Sequence, residues 1–288
     1  MKTAKSQYKR YTRSKYGSFF YFVFLLAAGL FTVLPMIYSV LTSFKPLDEL
    51  MIFPPRFLIQ RPTVMNYLSL PGILSGLWVP FSRYVFNSVF VTVVTTALHI
   101  IIASMAAYVI ALTDYRGRKL IFLIVQFSLL YNVFTLAVPQ LIIFSGIGIV
   151  NTYLVYILPF LPSALGVFLV KQYMDDSVPG SLLEAAKIDG AGHLKIYWSI
   201  VMPIVKPAWL TLLLFTFRDV WAMPQISTVY NEDLKMLPYV MTQIVNAGIA
   251  RAGSAMAATV LMMIPPILIY IVSQNQIIET MSSAGIKD

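Results

Sequence analysis

The sequence predicts an all-helical integral membrane protein with six transmembrane helices and both termini in the cytoplasm. Of its 288 residues, 58% are hydrophobic and only 11% are charged, whereas about 25% of the residues of soluble domains carry charge. Uncharged runs long enough to cross a bilayer, which takes about 20 apolar residues, recur along the whole chain. We therefore place membrane spans at residues 19–43, 84–112, 120–145, 153–170, 208–224 and 254–273.

Basic residues predict the orientation of these spans. Six Lys and Arg side chains precede the first span, and the short turn Arg116–Lys119 adds three more. Because Lys and Arg are retained on the cytoplasmic face, the N-terminus is expected inside, and the cytoplasmic segments then hold 14 of the 21 basic residues. The predicted organisation is a basic cytoplasmic tail at 1–18, a six-helix membrane domain at 19–273 with a cytoplasmic loop at 171–207, and a cytoplasmic tail at 274–288.

Composition argues against several classes of function. The chain has no cysteine and only two histidines, so disulfides, thiolate metal sites and a structural zinc site are not expected. It has no glycine-rich phosphate loop ending in Gly-Lys, so it is not expected to hydrolyse nucleotide itself. Membrane anchoring accounts for the net charge of +9, and no nucleic-acid partner is expected.

Three ionisable side chains other than tyrosine fall within the predicted spans. His99 in the second span is interpreted as a hydrogen-bonded packing residue rather than a proton relay. Arg218 and Asp219 lie toward the outer half of the fifth span, where they either face a pathway or pair with neighbours. The central stretches of the spans contain no Asp or Glu, which disfavours a carrier driven by an ion gradient.

One polar segment interrupts the hydrophobic chain within the predicted cytoplasmic loop. Ser181 and Glu184 have the spacing of a capping box, which predicts the start of a short helix. Gly190 is expected to end that helix, because glycine tolerates the positive φ found at helix ends. A second helix is predicted over residues 193–201, since it must end before Pro203. The sequence therefore predicts two short helices at an angle.

The faces of the first short helix suggest a partner. The small side chains of Ala185 and Ala186 would let the backbone of another protein approach one face of this helix closely. Apolar contacts would come from Leu182, Leu183 and Ile188. The alternative is an ordinary amphipathic loop helix that rests on the protein's own surface. The capping box alone favours that alternative, because such boxes are common.

The residues of this loop resemble the EAA loop of ABC importer permeases. The matching series comprises Val178-Pro179, Glu184-Ala185-Ala186, Asp189-Gly190-Ala191, Pro203 and Pro207. The resemblance extends over nearly the whole chain, through Asn66-Tyr67, Asn87-Ser88, Ala106-Ala107-Tyr108, Asn151-Thr152, Gly253–Ala258, Pro265 and Ala284-Gly285-Ile286-Lys287. These last positions are similar to the end of the carbohydrate-importing, maltose-type subfamily.

The resemblance implies that several subunits together carry out transport. This chain would pair with a sister permease, dock on two cytoplasmic ATPase subunits that use ATP and Mg, and take a carbohydrate from an extracytoplasmic binding protein, all at the plasma membrane of a bacterium. No cofactor, metal or catalytic residue is expected on this chain, and membrane lipid surrounds it. The expected ATPase-coupling residues are Glu184, Ala185, Ala186, Asp189, Gly190, Ala191, Pro203 and Pro207, with Glu184 contacting the ATPase or capping the helix and Gly190 supplying the bend.

Candidate substrate contacts lie in the third and fifth predicted spans. Sugars are commonly held by aromatic faces and hydrogen-bonding groups, which singles out Tyr131, Asn132, Phe134 and Trp221, although aromatic rings also serve as core, lipid-facing or interfacial residues. Asn132 replaces a proline and Ala222 an asparagine that the subfamily usually has, so maltose-like specificity does not carry over simply. The open alternatives are a permease for a polyol, phosphosugar or peptide, an ATP-independent carrier, and a membrane-bound enzyme.

Overall fold

The computed structural model describes residues 15–284 except 77, 78, 132, 225, 247, 249 and 250, with the backbone alone at 15, 133–134 and 275–284. Every regular element within these residues is a helix, which confirms the predicted all-helical class. The chain divides into two compact units, residues 1–69 with 249–260 and residues 70–248 with 261–288.

The first unit contains one long helix and a close contact at a glycine. Its helices are α1 (Lys15–Ser43), α2 (Leu47–Leu50), α3 (Met65–Leu68) and the first part of α15 (Ala252–Ala284). Nδ2 of Asn66 donates 2.8 Å hydrogen bonds to the carbonyls of Ser43, the last residue of α1, and of Lys45 just after it. A Cβ on Gly253 would lie 2.3 Å from Oδ1 of Asn66, so only glycine fits there.

The second unit is built around α5 (Phe81–Leu112). Helices α9 (Ala164–Ser177) and α13 (Lys206–Trp221) pack along it, and Ala103, Ala107, Val170 and Met174 are buried between them. Its other helices are α4 (Leu70–Leu74), α6 (Arg118–Ser128), α7 (Ala137–Gly146), α8 (Leu154–Ile157), α10 (Gly180–Ile188), α11 (His193–Ile196), α12 (Met202–Ile204) and α14 (Leu237–Asn246). Small residues on α5 allow this close approach.

Several of the predicted spans are continuous helices. Within the described residues, Tyr16–Ser43, Phe81–Leu112 and Ala252–Gln274 are each long and apolar enough to cross a membrane. Two further pairs of helices qualify if each bent pair counts as one span, one bent by 42° between residues 160 and 164 and the other by 81° between residues 204 and 206. These helices support a multi-pass membrane protein, and the count of six crossings stays a prediction.

The third predicted span, 120–145, is not one continuous helix. Helix α6 ends at Ser128 and α7 begins at Ala137, with a 3-10 turn at Val133–Leu136 between them. The hydroxyl of Ser128 donates to the carbonyl of Ile124 at 2.8 Å, a contact that bends helices because it competes with the backbone ladder. The interruption could not be read from hydropathy, which reports the apolar character of a segment and not its backbone path, and the crossing at 120–145 stays a prediction.

Candidate functional site

We call the loop at residues 171–207 the coupling loop. Helix α10 is its first short helix, and this helix starts differently from the prediction. Its N-cap is Pro179, which makes no side-chain cap, and the Pro179 carbonyl accepts a hydrogen bond from the amide of Leu182 at 3.1 Å. Ser181 consequently lies inside the first turn, and the predicted capping box with Glu184 is wrong. The proline starts the helix early because its φ of −68° already suits a helix start.

The predicted end of α10 at Gly190 is confirmed. Gly190 has φ 74°, and its amide donates to the carbonyl of Lys187 at 3.0 Å. The next amide, that of Ala191, donates to the carbonyl of Ala186 at 2.9 Å. These bonds satisfy carbonyls that the end of a helix leaves free, in the manner of a Schellman cap.

The second part of the loop is longer than predicted. After α11, a π turn at Tyr197–Val201 leads into α12, which runs through Pro203 to Ile204. The predicted end before Pro203 is wrong, because the π turn changes the hydrogen-bond register just before a residue that has no amide to donate. The chain then turns by 81° into α13, and Pro207 lies buried in the first turn of that helix. Pro203 and Pro207 therefore stand on either side of the bend.

One side of the loop is anchored in the apolar core of the second unit. Leu183 and Ala186 on α10, and Ile196, Tyr197 and Val201 after it, are buried in the same cluster as residues of α5, α9 and α13. The expectation that Ala186 and Leu183 face a partner is wrong. They lie three residues apart on one helix face, and that face packs on the protein's own core.

Polar contacts fix the same side of the loop to α5. The hydroxyls of Ser104 and Tyr197 lie 2.6 Å apart, and the hydroxyl of Tyr108 lies 3.0 Å from Nδ1 of His193. The indole nitrogen of Trp209 on α13 donates to the carbonyl of Met202 at 3.1 Å. A displacement of the loop must therefore move the ends of α5 and α13 with it, since buried hydrogen bonds are costly to leave unmade.

The opposite side of the loop is exposed and partly apolar. We call this side the docking face, and it consists of Glu184, Ala185, Ile188, Leu194 and Trp198. The fractional exposure is 87% for Ile188, 67% for Leu194 and 51% for Trp198. The predicted residues Asp189 and Gly190 are exposed as well, and Ala191 is half-buried. Exposed apolar residues grouped in this way mark a protein contact surface.

Sequence reasoning missed Leu194 and Trp198 as members of this face. Their spacing of four residues was the available signal, because residues four apart share one face of a helix. The left-handed backbone at Gly190 forms the turn between α10 and α11, so a substitution at Gly190 tests the conformation of this turn.

Replacing Gly190 by Ala is expected to destabilise the loop by about 1–2 kcal/mol, because a left-handed backbone costs an L-residue that much. No neighbouring atom lies within 4 Å of the added Cβ, so the backbone conformation alone is tested. Gly192→Ala is the matched control, since Gly192 has φ −73° and equally open surroundings. Amide hydrogen exchange in α10 and α11 is the measurement, and equal exchange in both variants would contradict the role given to Gly190.

The predicted substrate contacts lie in different environments. Trp221 is buried, donates its indole N–H to the carbonyl of Met262 at 3.0 Å, and stacks on Phe217 with ring centroids 5.8 Å apart. Tyr131 is 71% exposed. Asn132 and the side chain of Phe134 lie outside the described residues. The assignment of these four residues to a sugar pathway stays a prediction.

The ionisable residues within the predicted spans make polar contacts with neighbouring groups. Nδ1 of the buried His99 lies 2.6 Å from the carbonyl of Phe160, which confirms the predicted hydrogen bond, and its role in packing rather than in proton transfer stays a prediction. Nε of Arg218 donates to Oδ1 of Asp219 at 2.9 Å, and both side chains are at least half exposed. Arg218 also borders an apolar cavity of about 380 Å³ between α13 and the later part of α15.

A second polar cluster lies at the other end of α5. Asn87 is fully buried; its Nδ2 donates to the carbonyls of Asp233 and Lys235 at 2.8 Å, and its Oδ1 accepts from the hydroxyl of Tyr153 at 2.6 Å. Beside it, Oγ of Ser88 accepts from the amide of Leu237 at 2.7 Å. The loop at residues 228–237, which we call the latched loop, is thus tied to α5.

Further contacts complete this cluster. The hydroxyl of Tyr84 donates to Glu232 at 2.7 Å, and Glu232 also accepts from Lys235 at 2.5 Å. Oδ1 of Asn151 accepts from the amides of Tyr230 and Asn231 at 3.2 and 2.8 Å. The sequence identified Asn87-Ser88 and Asn151-Thr152 only through a resemblance, and no local signal pointed to the latched loop that they bind.

The two polar ends of α5 are separated by about the thickness of a membrane. From Asn87 to Tyr108 the helix rises by about 31 Å at 1.5 Å per residue, and the hydrocarbon core of a bilayer is about 30 Å thick. Between these ends α5 is predominantly hydrophobic and carries no Asp, Glu, Lys or Arg. The latched loop and the coupling loop are therefore bound to opposite ends of one helix of membrane length.

Apolar spans and a central helix of membrane length define a multi-pass membrane protein. The chain belongs to the family described as "Binding-protein-dependent transport system inner membrane component", whose model matches residues 99–283. It is a permease subunit of the ABC importer type, located in the plasma membrane.

Individual relatives cover most of the chain. It is 25% identical to the arabinooligosaccharides transport system permease protein AraQ of Bacillus subtilis, over 92% of this chain and 94% of that protein. It is 31% identical to the polygalacturonan/rhamnogalacturonan transport system permease protein YtcP of the same species, over 75% and 72% of the two chains. A bacterial ABC transporter involved in the import of the acidic polysaccharide alginate shares the fold, with a TM-score of 0.76 and 22% identity over 91% of this chain and 98% of that one.

Proposed function

We propose that this chain and a sister permease form the membrane pathway for an oligosaccharide or related carbohydrate, driven by ATP and supplied by an extracytoplasmic binding protein. The names of its relatives support a carbohydrate cargo, since AraQ and YtcP are transport permeases for arabinooligosaccharides and for polygalacturonan or rhamnogalacturonan. A second solved alginate transporter is in complex with a periplasmic protein that carries an alginate pentasaccharide. That complex supports a binding-protein partner for this chain.

The docking face is the observation that carries the proposed coupling to ATP. Ile188 and Leu194 are largely exposed on short helices whose other side is buried in the chain's own core. An apolar surface held this firmly suits a rigid partner such as an ATPase subunit. The exposed side chain of Glu184 makes no hydrogen bond or ion pair within the described residues, and its carboxylate is available to a basic group of that partner.

The buried side of the loop supplies the link to the membrane helices. Movement of the ATPase subunits would pull on Ala185, Asp189, Gly190 and their neighbours, and the anchored residues Ala186 and Ala191 would pass that movement to α5 and α9. Pro203 and Pro207 keep the bend into α13 short and stiff, because proline removes backbone freedom. In this proposal, ATP and Mg are bound only by the partner ATPases.

The sugar pathway would run beside the third and fifth predicted spans. Tyr131, Asn132, Phe134 and Trp221 are its proposed contacts, and Tyr131 is exposed to a partner or a passing sugar. Trp221 would reach the pathway only after its bond to Met262 opens. Both termini and the coupling loop are assigned to the cytoplasm, and the latched loop to the side from which the binding protein delivers its cargo.

The proposed function is tested by reconstituting the complete transporter in proteoliposomes with its binding protein outside. Uptake of labelled oligosaccharides is expected to require ATP inside the vesicles together with the binding protein, and polyols, phosphosugars and peptides are expected not to compete. Uptake that persists without ATP under a proton or sodium gradient would overturn the proposal in favour of a secondary carrier. Competition by a peptide or polyol at equal concentration would overturn the carbohydrate assignment alone.

A further inference from the structure

A basic cavity lies in the second unit, between the turn that follows α5 and the middle of α9. Its volume is about 460 Å³, and it is lined by Ile110, Arg118, Lys119, Phe122, Lys171 and Asp175. These residues belong to α5, α6 and α9. None of them is part of the docking face or of the proposed sugar pathway.

The lining of this cavity carries an excess of positive charge. Nζ of Lys171 lies 2.5 Å from Oδ2 of Asp175 and 4.1 Å from the centre of the Phe122 ring, so its own charge is balanced within the cavity. Arg118 pairs at 3.1 Å with Asp114, a fully exposed carboxylate. Such an exposed ion pair contributes little free energy, so Arg118 can exchange Asp114 for another anion. Lys119 has no ion pair among the described residues. Two cationic groups therefore remain available to an anion.

The start of α6 adds a second feature that favours an anion. The helix begins at Arg118 after Gly117, which offers no side-chain cap, and its first turn contains no acidic residue. The amide of Arg118 donates to the carbonyl of Tyr115 at 3.4 Å, whereas the next amides at a helix start have no partner within the helix. The helix dipole also places partial positive charge there. Phosphate groups bind at helix starts of this kind.

The helix that borders the cavity also carries an exposed apolar surface. Beyond its first turn, α6 exposes a row of large apolar side chains, Leu120, Leu123, Ile124 and Phe127, each between 47% and 61% exposed. Ile110 and Phe122 extend this apolar surface into the cavity itself. A ligand that matches both parts has an anionic head and a hydrocarbon tail, whereas free phosphate or a nucleotide would use only the basic part.

We propose that this cavity binds the headgroup phosphate of an anionic membrane lipid. The phosphate lies between Arg118, Lys119 and the first amides of α6, and an acyl chain lies along the apolar face of α6. Basic pockets between membrane helices recognise anionic headgroups by this combination of charge and apolar contact. Helix α9 continues through Val178-Pro179 into α10, so the bound lipid sits on the helix from which the coupling loop departs.

The test measures lipid binding to the purified complete transporter by native mass spectrometry. Dioleoyl-phosphatidylglycerol is expected to bind more tightly than dioleoyl-phosphatidylcholine, and Arg118→Gln or Lys119→Gln is expected to weaken its binding about fivefold each, since a basic side chain near an anionic lipid contributes roughly that factor. Arg116→Gln is the matched control, because it removes the same charge from the same turn at an exposed position outside the cavity.

Several outcomes would overturn the proposal. Equal affinity for the two lipids would show that the headgroup charge is not recognised. Equal weakening by Arg116→Gln and by the two cavity variants would show a general surface attraction rather than this site. Displacement of the bound lipid by millimolar inorganic phosphate or glycerol 3-phosphate would show that the cavity binds a soluble anion. Variants that fail to assemble are replaced by Arg118→Lys and Lys119→Arg, for which unchanged lipid affinity is the expected result.

Discussion

Replacing Glu184 by Lys is expected to lower ATP-dependent uptake by the reconstituted transporter about 30-fold, the effect of losing a contact of about 2 kcal/mol at the centre of an interface. Glu184 lies on the exposed side of α10, and the helix has no side-chain cap. The change therefore reverses the charge offered to the ATPase without disturbing the chain's own fold. Uptake and ATP hydrolysis are measured together, and hydrolysis is expected to lose its dependence on the loaded binding protein.

The control for this experiment is Asp114→Lys, which reverses a fully exposed charge in the turn after α5 at a residue outside the docking face. Glu184→Gln separates the two roles considered for this residue. If the carboxylate binds a cation of the ATPase, Gln should lose most of the activity that Lys loses. Normal uptake by Glu184→Lys, with normal amounts of protein in the membrane, would be incompatible with a docking role for α10.

Replacing Asn87 by Asp is expected to destabilise the transporter by about 3–5 kcal/mol, since it leaves a buried charge without a partner. The Nδ2 group of Asn87 donates to two backbone carbonyls, and a carboxylate of the same shape would face both of them without a donor. The hydroxyl of Tyr153 can still donate to one oxygen. The expected result is a lower unfolding temperature and release of the latched loop, measured by thermal unfolding and by amide exchange over residues 228–237.

Asn246→Asp is the matched control for this change, because it introduces the same charge at an exposed position near the end of α14. It is expected to shift the unfolding temperature only slightly, as most exposed substitutions do. Binding-protein-dependent uptake should fall with Asn87→Asp and not with Asn246→Asp. A stable Asn87→Asp protein with protected amides in the latched loop would show that these buried bonds do not hold the loop.

In the coupling loop, local sequence patterns predicted some structural features correctly and others wrongly. Gly190 was correctly predicted to end α10, because the left-handed turn is a property of glycine itself. The capping box was wrongly predicted, because the N-cap is Pro179, two residues before Ser181, and the helix already begins at Gly180. Ala186 was assigned to a partner-facing surface and instead packs inside, since the identity of a small apolar residue does not say which of two apolar surfaces it meets.

The sequence by itself determined the membrane class, the helical content, the position of the coupling loop and the family, because hydropathy and the placement of Gly and Pro are properties of short stretches of chain. Only the tertiary structure decided which side of the loop is exposed, the break in the third predicted span, the latched loop on Asn87 and the basic cavity beside α6. These features join residues far apart in sequence, as Asn87 joins Asp233 and Lys235. Burial and charge pairing at such places depend on how whole helices pack, which no local pattern contains.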